Sequence, residues 1–106
     1  MSNLNQIMEY VADYVQDTNN RIISEWKQGS AVSVSAGGRG NLTVDVAKAG
    51  YTPLGIGSVT INGNATAFLE IGQILLNNTT VTITVHNSNS SSQSWRASVL
   101  IIYQKD

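Results

Sequence analysis

Few residues in this chain can do acid–base or nucleophilic chemistry. His86 is the only histidine and closes the threonine-rich run TTVTITVH at 79–86. Beyond residue 29 the carboxylates are Asp45, Glu70 and Asp106, and the chain has no cysteine. One imidazole cannot build a multi-histidine metal site, and without thiols there are neither thiolate ligands nor disulfides. Serine is abundant, so a Ser–His–acid arrangement is formally open, but no GxSxG elbow accompanies it. Asp45 and Glu70 are the pair that could flank a glycosidic bond. Both fall on polar positions of predicted strands, where a solvated face is the ordinary reading. GGRGN at 37–41 carries glycines and one positive charge, yet lacks the following helix and the Lys-Ser/Thr of a phosphate loop. No catalytic residue, metal or cofactor is assigned.

Binding chemistry is better represented. NSNSSSQSW at 87–95 sets amides and hydroxyls beside a tryptophan. Such groups hydrogen-bond sugar hydroxyls, and aromatic rings stack on the apolar face of a sugar. The candidate ligand set is Tyr51, His86, Asn87, Asn89, Gln93 and Trp95. The competing reading makes Trp95 a core anchor and the loop a solvated connection, because a tryptophan that opens a strand ordinarily packs inward.

The composition narrows the partners. Hydrophobic residues make up 42% of the 106-residue chain and charged residues only 12%, with a net charge of −1. That is a sparsely charged globular composition, sized for one domain. The six basic residues are scattered, so nucleic-acid binding has no electrostatic footprint. No run approaches the roughly 18–20 apolar residues of a membrane helix, and the MSNLNQ start has no signal-peptide pattern. The expectation is synthesis in a cytoplasm without a secretory signal.

The positioning elements change period near residue 29. Leu4, Ile7, Met8, Val11, Tyr14, Val15, Thr18 and Ile22 follow helical spacing. Asn3 suits an N-cap, and Gly29 suits a stop. Residues 1–28 are therefore expected to form one helix. From Ser30 the period is two. AVSVSA and LTVDVAK read as a hairpin around GGRGN. LGIGSVTI, AFLEIGQILL, TTVTITVH and WRASVLIIYQ follow, separated by NGN, NN and the 87–94 loop. Residues 29–106 are expected to form a compact antiparallel β-sandwich or barrel of about six strands.

The apolar pattern exceeds what one small domain hides. In the last strand Trp95, Ala97, Val99, Ile101 and Tyr103 share one face, while Leu100 and Ile102 make the other face apolar as well. A half-exposed strand should be polar there. Either this is a central strand covered on both sides, or its second face meets another subunit. Gly55 and Gly57 raise the same question, since strand glycine marks a bulge or a close approach. The helical stripe fits two heptad registers, wider than a two-stranded seam. It demands a groove on its own domain or a bundle of copies. The expected oligomer contacts are Leu4, Met8, Val11, Val15, Thr18, Ile22, Leu100 and Ile102.

These motifs carry a family resemblance. NLNQIMEYVADYV resembles the opening helix of small tail-associated structural proteins of phages and prophages of Gram-positive bacteria. AGYTPLGIGSVTINGN, FLEIGQILLNNTTVTITVHNSNSSSQSW and the VLIIYQK ending are similar to head domains of phage tail-fibre and receptor-binding proteins. The resemblance covers residues 1–15 and most of the chain from Lys48; residues 21–47 are less distinctive. It implies a homotrimer with a helical stalk (residues 1–28) and β heads, displayed on a virion tail. It further implies partners among other phage tail or baseplate proteins and host cell-surface polysaccharide, with no role in nucleic-acid or membrane binding. No residue matches a defined receptor motif. Two rival readings stand beside it: a virion decoration or tail-assembly protein without a ligand, and a small cell-wall hydrolase using Asp45 and Glu70.

Overall fold

A computed structural model of the chain describes residues 21–106, and these form two antiparallel β-sheets. The strands are β1 (Ile22–Gln28), β2 (Val32–Val34), β3 (Arg39–Asp45), β4 (Tyr51–Gly63), β5 (Leu69–Asn77), β6 (Thr80–Asn87) and β7 (Gln93–Lys105). A single 3-10 turn, Thr66–Phe68, precedes β5. The expected β class holds, as two packed sheets rather than a closed barrel.

β7 organises the first sheet. Its 98–104 half pairs with β1 along one edge, its 93–95 start pairs with β2 along the same edge, and β4 runs along the other. The second sheet has the order β3–β6–β5. Alternation places Trp95, Ala97, Val99, Ile101 and Tyr103 inward from β7 against Val81, Ile83 and Val85 from β6 and Leu42 and Val44 from β3, all fully buried. Tyr103 is sunk in this core, where its hydroxyl donates to the Val46 carbonyl at 2.7 Å. Burial pushes its ionisation up.

Three expectations need correction. Ile22–Gln28 is strand, not the end of a helix: Ile23, Glu25 and Lys27 alternate with Ile22, Ser24 and Trp26, and every residue is paired with β7. The stripe positions Leu4, Met8, Val11, Val15 and Thr18 lie outside the described residues. The 32–45 stretch is not a hairpin within one sheet. β2 pairs with β7 and β3 with β6, so the GGRGN turn carries the chain between layers. β4 begins at Tyr51, three residues before the LGIGSVTI run read as a strand. The NN turn is as read, joining β5 to β6, with Asn78 in the left-handed region at φ 57°.

Both strand glycines sit at bulges of β4, where pairing shifts between Pro53 and Gly55 and between Ile56 and Ser58. A Cβ at Gly57 would sit in ordinary contact with the ends of Leu100 and Ile102, 3.4 and 3.7 Å away.

Replacing Tyr103 by Phe leaves the buried Val46 carbonyl without a donor. The expected cost is about 1–2 kcal/mol, read as a lower urea midpoint with an unchanged slope.

Candidate functional site

Chain direction separates the two ends of the sandwich. Ile22, where β1 begins, pairs with Gln104 at one end of β7. The 29–31, 35–38, 62–68 and 88–92 connections gather at the other, around the start of β7. The six predicted ligand residues do not converge. Tyr51 pairs with Lys105 at the Ile22 end, whereas Trp95 pairs with Gly63 ten residues away along β7, about 33 Å.

Tyr51 is held edge-on to Tyr103, ring centroids 6.3 Å apart, with Lys48 Nζ 5.4 Å above its own ring. Lys48 also bridges to Glu25 at 2.9 Å. That hydrogen bond holds the Glu25 carboxyl below the usual range and Lys48 above its own. The pair is solvent-exposed, so it fixes β1 to the 48–51 turn more than it stabilises the fold.

Trp95 is completely buried, which removes it as a stacking platform. Its indole N–H donates to the Asn64 carbonyl at 2.6 Å, fastening the loop after β4 to the core. Asn87 is the one fully buried polar side chain among the described residues, and it is structural too. Its amide donates to the carbonyls of Val34 and Ser91, while Oδ1 accepts from the backbone and side-chain N–H groups of Asn89. Asn89 reaches on to Ala65, and Gln93 donates to Ser91 Oγ. The loop is therefore ordered by its own amides, which leaves Asn87 no capacity for a ligand.

His86 stands apart on the outer face of the second sheet. Its Nδ1 meets Glu70 Oε2 at 3.1 Å and Ser88 Oγ at 3.2 Å, while Nε2 meets the Gly37 carbonyl at 3.2 Å. Glu70, Ser88 and Gly37 had no mark in the pattern as partners of this histidine; only the β5–β6 register and the layer-crossing turn bring them together. The trio has serine, histidine and acid but not triad wiring. A nucleophile and its orienting acid must sit on opposite ring nitrogens, and here both contact Nδ1. Beside it lies a shallow 120 Å³ depression lined by Arg39, Glu70, Ile71, Gly72, Thr84, Val85 and His86.

Asp45 and Glu70 do not face each other. They pair with Thr80 and His86, six residues apart on β6, which is about 20 Å and beyond the roughly 5–9.5 Å that glycosidase carboxylates span. No cluster of three metal-ligating side chains occurs among the described residues.

The two outer faces differ sharply. Arg39, Asn41, Thr43, Asp45, Thr80, Thr82, Thr84, His86 and Glu70 face solvent on the second sheet. On the first, Trp26 sits beside Leu100, with Ile102 next along β7 and only Arg96 charged near its far end. Trp26 and Leu54 are each 52% exposed.

No family model matches the chain, and no curated protein or solved structure shows significant similarity to it.

Asn87→Ala removes four hydrogen bonds and strands two carbonyls. A loss of about 2–4 kcal/mol is expected, against less than about 1 kcal/mol for Asn89→Ala. Thermal unfolding of the two variants compares them, and limited proteolysis should newly cut Asn87→Ala within 88–92.

Proposed function

We propose that this chain is a non-enzymatic subunit of a homotrimeric phage tail head that attaches to a host-surface saccharide. The observation that carries the self-assembly part is the apolar patch on the outer face of the β7 sheet, where Arg96, near the loop end, is the one charged residue among those described. Trp26, Leu100 and Ile102 lie together there, and charge depletion with an aromatic anchor is how interface centres differ from ordinary surface. Its counterpart, the face of the β6 sheet, is mostly charged residues and threonines, with Leu75 the exposed large hydrophobic residue on it.

A second apolar patch supports a ring rather than a two-fold dimer. Ile71 and Ile74 oppose the buried Val85 and Ile83, so they point to the core side of β5, yet they are 48% and 42% exposed. The sheets pack most closely on the β3 side, and β5 is a free edge without a lysine or proline to guard it. Phe68, just before β5, is also exposed, whereas the exposed Leu75 opposes Thr82 and lies on the other face of β5. Three strands of seven residues give the β7-sheet face a footprint of roughly 300 Å². That is well short of the about 800 Å² per partner of a stable interface. Two unlike patches on each copy make a heterologous contact, which gives a ring where its rotation closes. The stripe Leu4–Thr18 leads directly into Ile22 at the margin of this face and is proposed to extend the contact as the stalk. Three copies, the virion and the host surface rest on the sequence resemblance. The attachment role fits the geometry, because the ordered polar loops gather at the end of β7 opposite Ile22.

A second reading, a decoration or assembly part without a ligand, shares the same interface and differs only at those loops.

Light scattering on the full chain should give three times the monomer mass. Leu100→Asp or Ile74→Asp should reduce it to one, with the β circular-dichroism spectrum retained. Thr82→Asp, on the polar face, should leave it unchanged. A wild-type monomer would end the assembly reading.

A further inference from the structure

A depression of 270 Å³ lies at the loop end of the β7 sheet, lined by Ala31, Asn62, Gly63, Asn64, Ser94, Trp95 and Arg96. Its position follows from the topology. β1 leaves β7 at Ser98 and β2 joins the same edge at Trp95, so the 29–31 connection swings off the sheet between them. Gly29 anchors that swing by donating to the Ala97 carbonyl at 2.9 Å. The opposite wall is the turn after β4.

That wall is fixed before any ligand arrives. Asn64 N–H donates to the Ser94 carbonyl at 3.2 Å, and the Trp95 indole donates back to Asn64. Gly63 has φ 143°, and a side chain there would run into the Ser94 carbonyl. Only glycine lets the turn lie this close to β7. The tryptophan contributes to the wall without exposing its ring.

The lining chemistry defines what fits. Asn62 pairs with Arg96 across β4 and β7, and Ser94 lies two residues along the same face of β7. The side chains offered are amides, a hydroxyl and a guanidinium, with no carboxylate among them. Arg96 has no ion-pair partner among the described residues. No exposed aromatic or broad apolar wall favours a hydrophobic ligand. The volume is below the roughly 300–1,000 Å³ of pockets that enclose drug-sized molecules, and suits one sugar ring. An unpaired guanidinium over amide donors selects a negative charge, because its hydrogen bonds to anions are the strong ones.

We infer that this depression binds a single acidic sugar residue, a hydroxyl-rich ring carrying one anionic group, with Arg96 on the anion and Asn62, Asn64 and Ser94 on the hydroxyls. The inference rests on the attachment reading above and gives it a place and a ligand class. It moves the site away from the 87–93 amides, which the loop itself consumes.

The test is an NMR titration of the full chain, with solution mass measured on the same samples. The probes are methyl glucuronide, methyl glucoside and inorganic phosphate. Methyl glucuronide should shift the amides of residues 62–64 and 94–96 and bind at least about tenfold more tightly than methyl glucoside. Arg96→Ala should abolish that preference, and Arg96→Lys should recover part of it. Thr82→Ala should change nothing. No shifts at 62–64 and 94–96, or equal binding by Arg96→Ala, would overturn the site. Phosphate binding there as tightly as the glucuronide would overturn the sugar assignment in favour of a bare anion site. An assembled protein that ignores every probe refutes the site alone, whereas a monomer that binds the glucuronide refutes the assembly alone.

Discussion

A β-strand has two faces, and each apolar face needs a cover. β7 imposes that constraint on everything else in this structure. Its inward residues, from Trp95 to Tyr103, are fully buried by the second sheet, which accounts for one face. Its outward residues Leu100 and Ile102 are only partly buried, beside Trp26 on β1 and Gly57 on β4. Area removed from water is the main favourable term in folding and association. The aromatic-bearing apolar patch on this outer face is therefore stabilised by further burial, which a second copy of the chain is proposed to provide.

The same strand divides the molecule lengthwise. At the Tyr51 end, Tyr103, Lys48 and Glu25 tie β1, β4 and β7 together where residues 1–20 join. At the other end, polar connections converge and are held by side-chain amides, with the buried Asn87 the central knot. A rigid scaffold that presents ordered loops at one end is a common plan for recognition, since the loops lose little entropy on binding. In this arrangement Asn87 ties the loop end together, and buried Trp95 fastens the turn after β4 through Asn64.

Legibility in the sequence tracked the range of the deciding contacts. Period-two runs such as TTVTITVH and the NN turn are local, and β6 and the β5–β6 hairpin appeared where alternation placed them. IISEWKQ was misread because Ile22 and Trp26 satisfy a helical spacing as well as an alternating one. Its pairing with residues 70 or more positions later decides for strand. The 32–45 stretch failed for the same reason: a three-residue β2 is held by β7, not by its sequence neighbour. Trp95 was correctly doubted as a stacking ring, because its place at the head of an inward-facing run already marked it as core. Glu70, Ser88 and Gly37 around His86, and Arg96 beside Asn62, left no signal, since nothing local reports which strands become neighbours.

The central claim is that the outer face of the β7 sheet is covered by another copy. The two tryptophans make it measurable, since Trp95 is fully buried and Trp26 is 52% exposed in the single chain. Acrylamide quenching of tryptophan fluorescence, followed across a dilution series of the full chain, reads Trp26 directly. The account predicts that both rings resist quenching at high concentration and that one becomes accessible on dilution. Free quenching of Trp26 at every concentration would contradict it, and protection that never yields to dilution would assign the cover to the chain's own N-terminal segment.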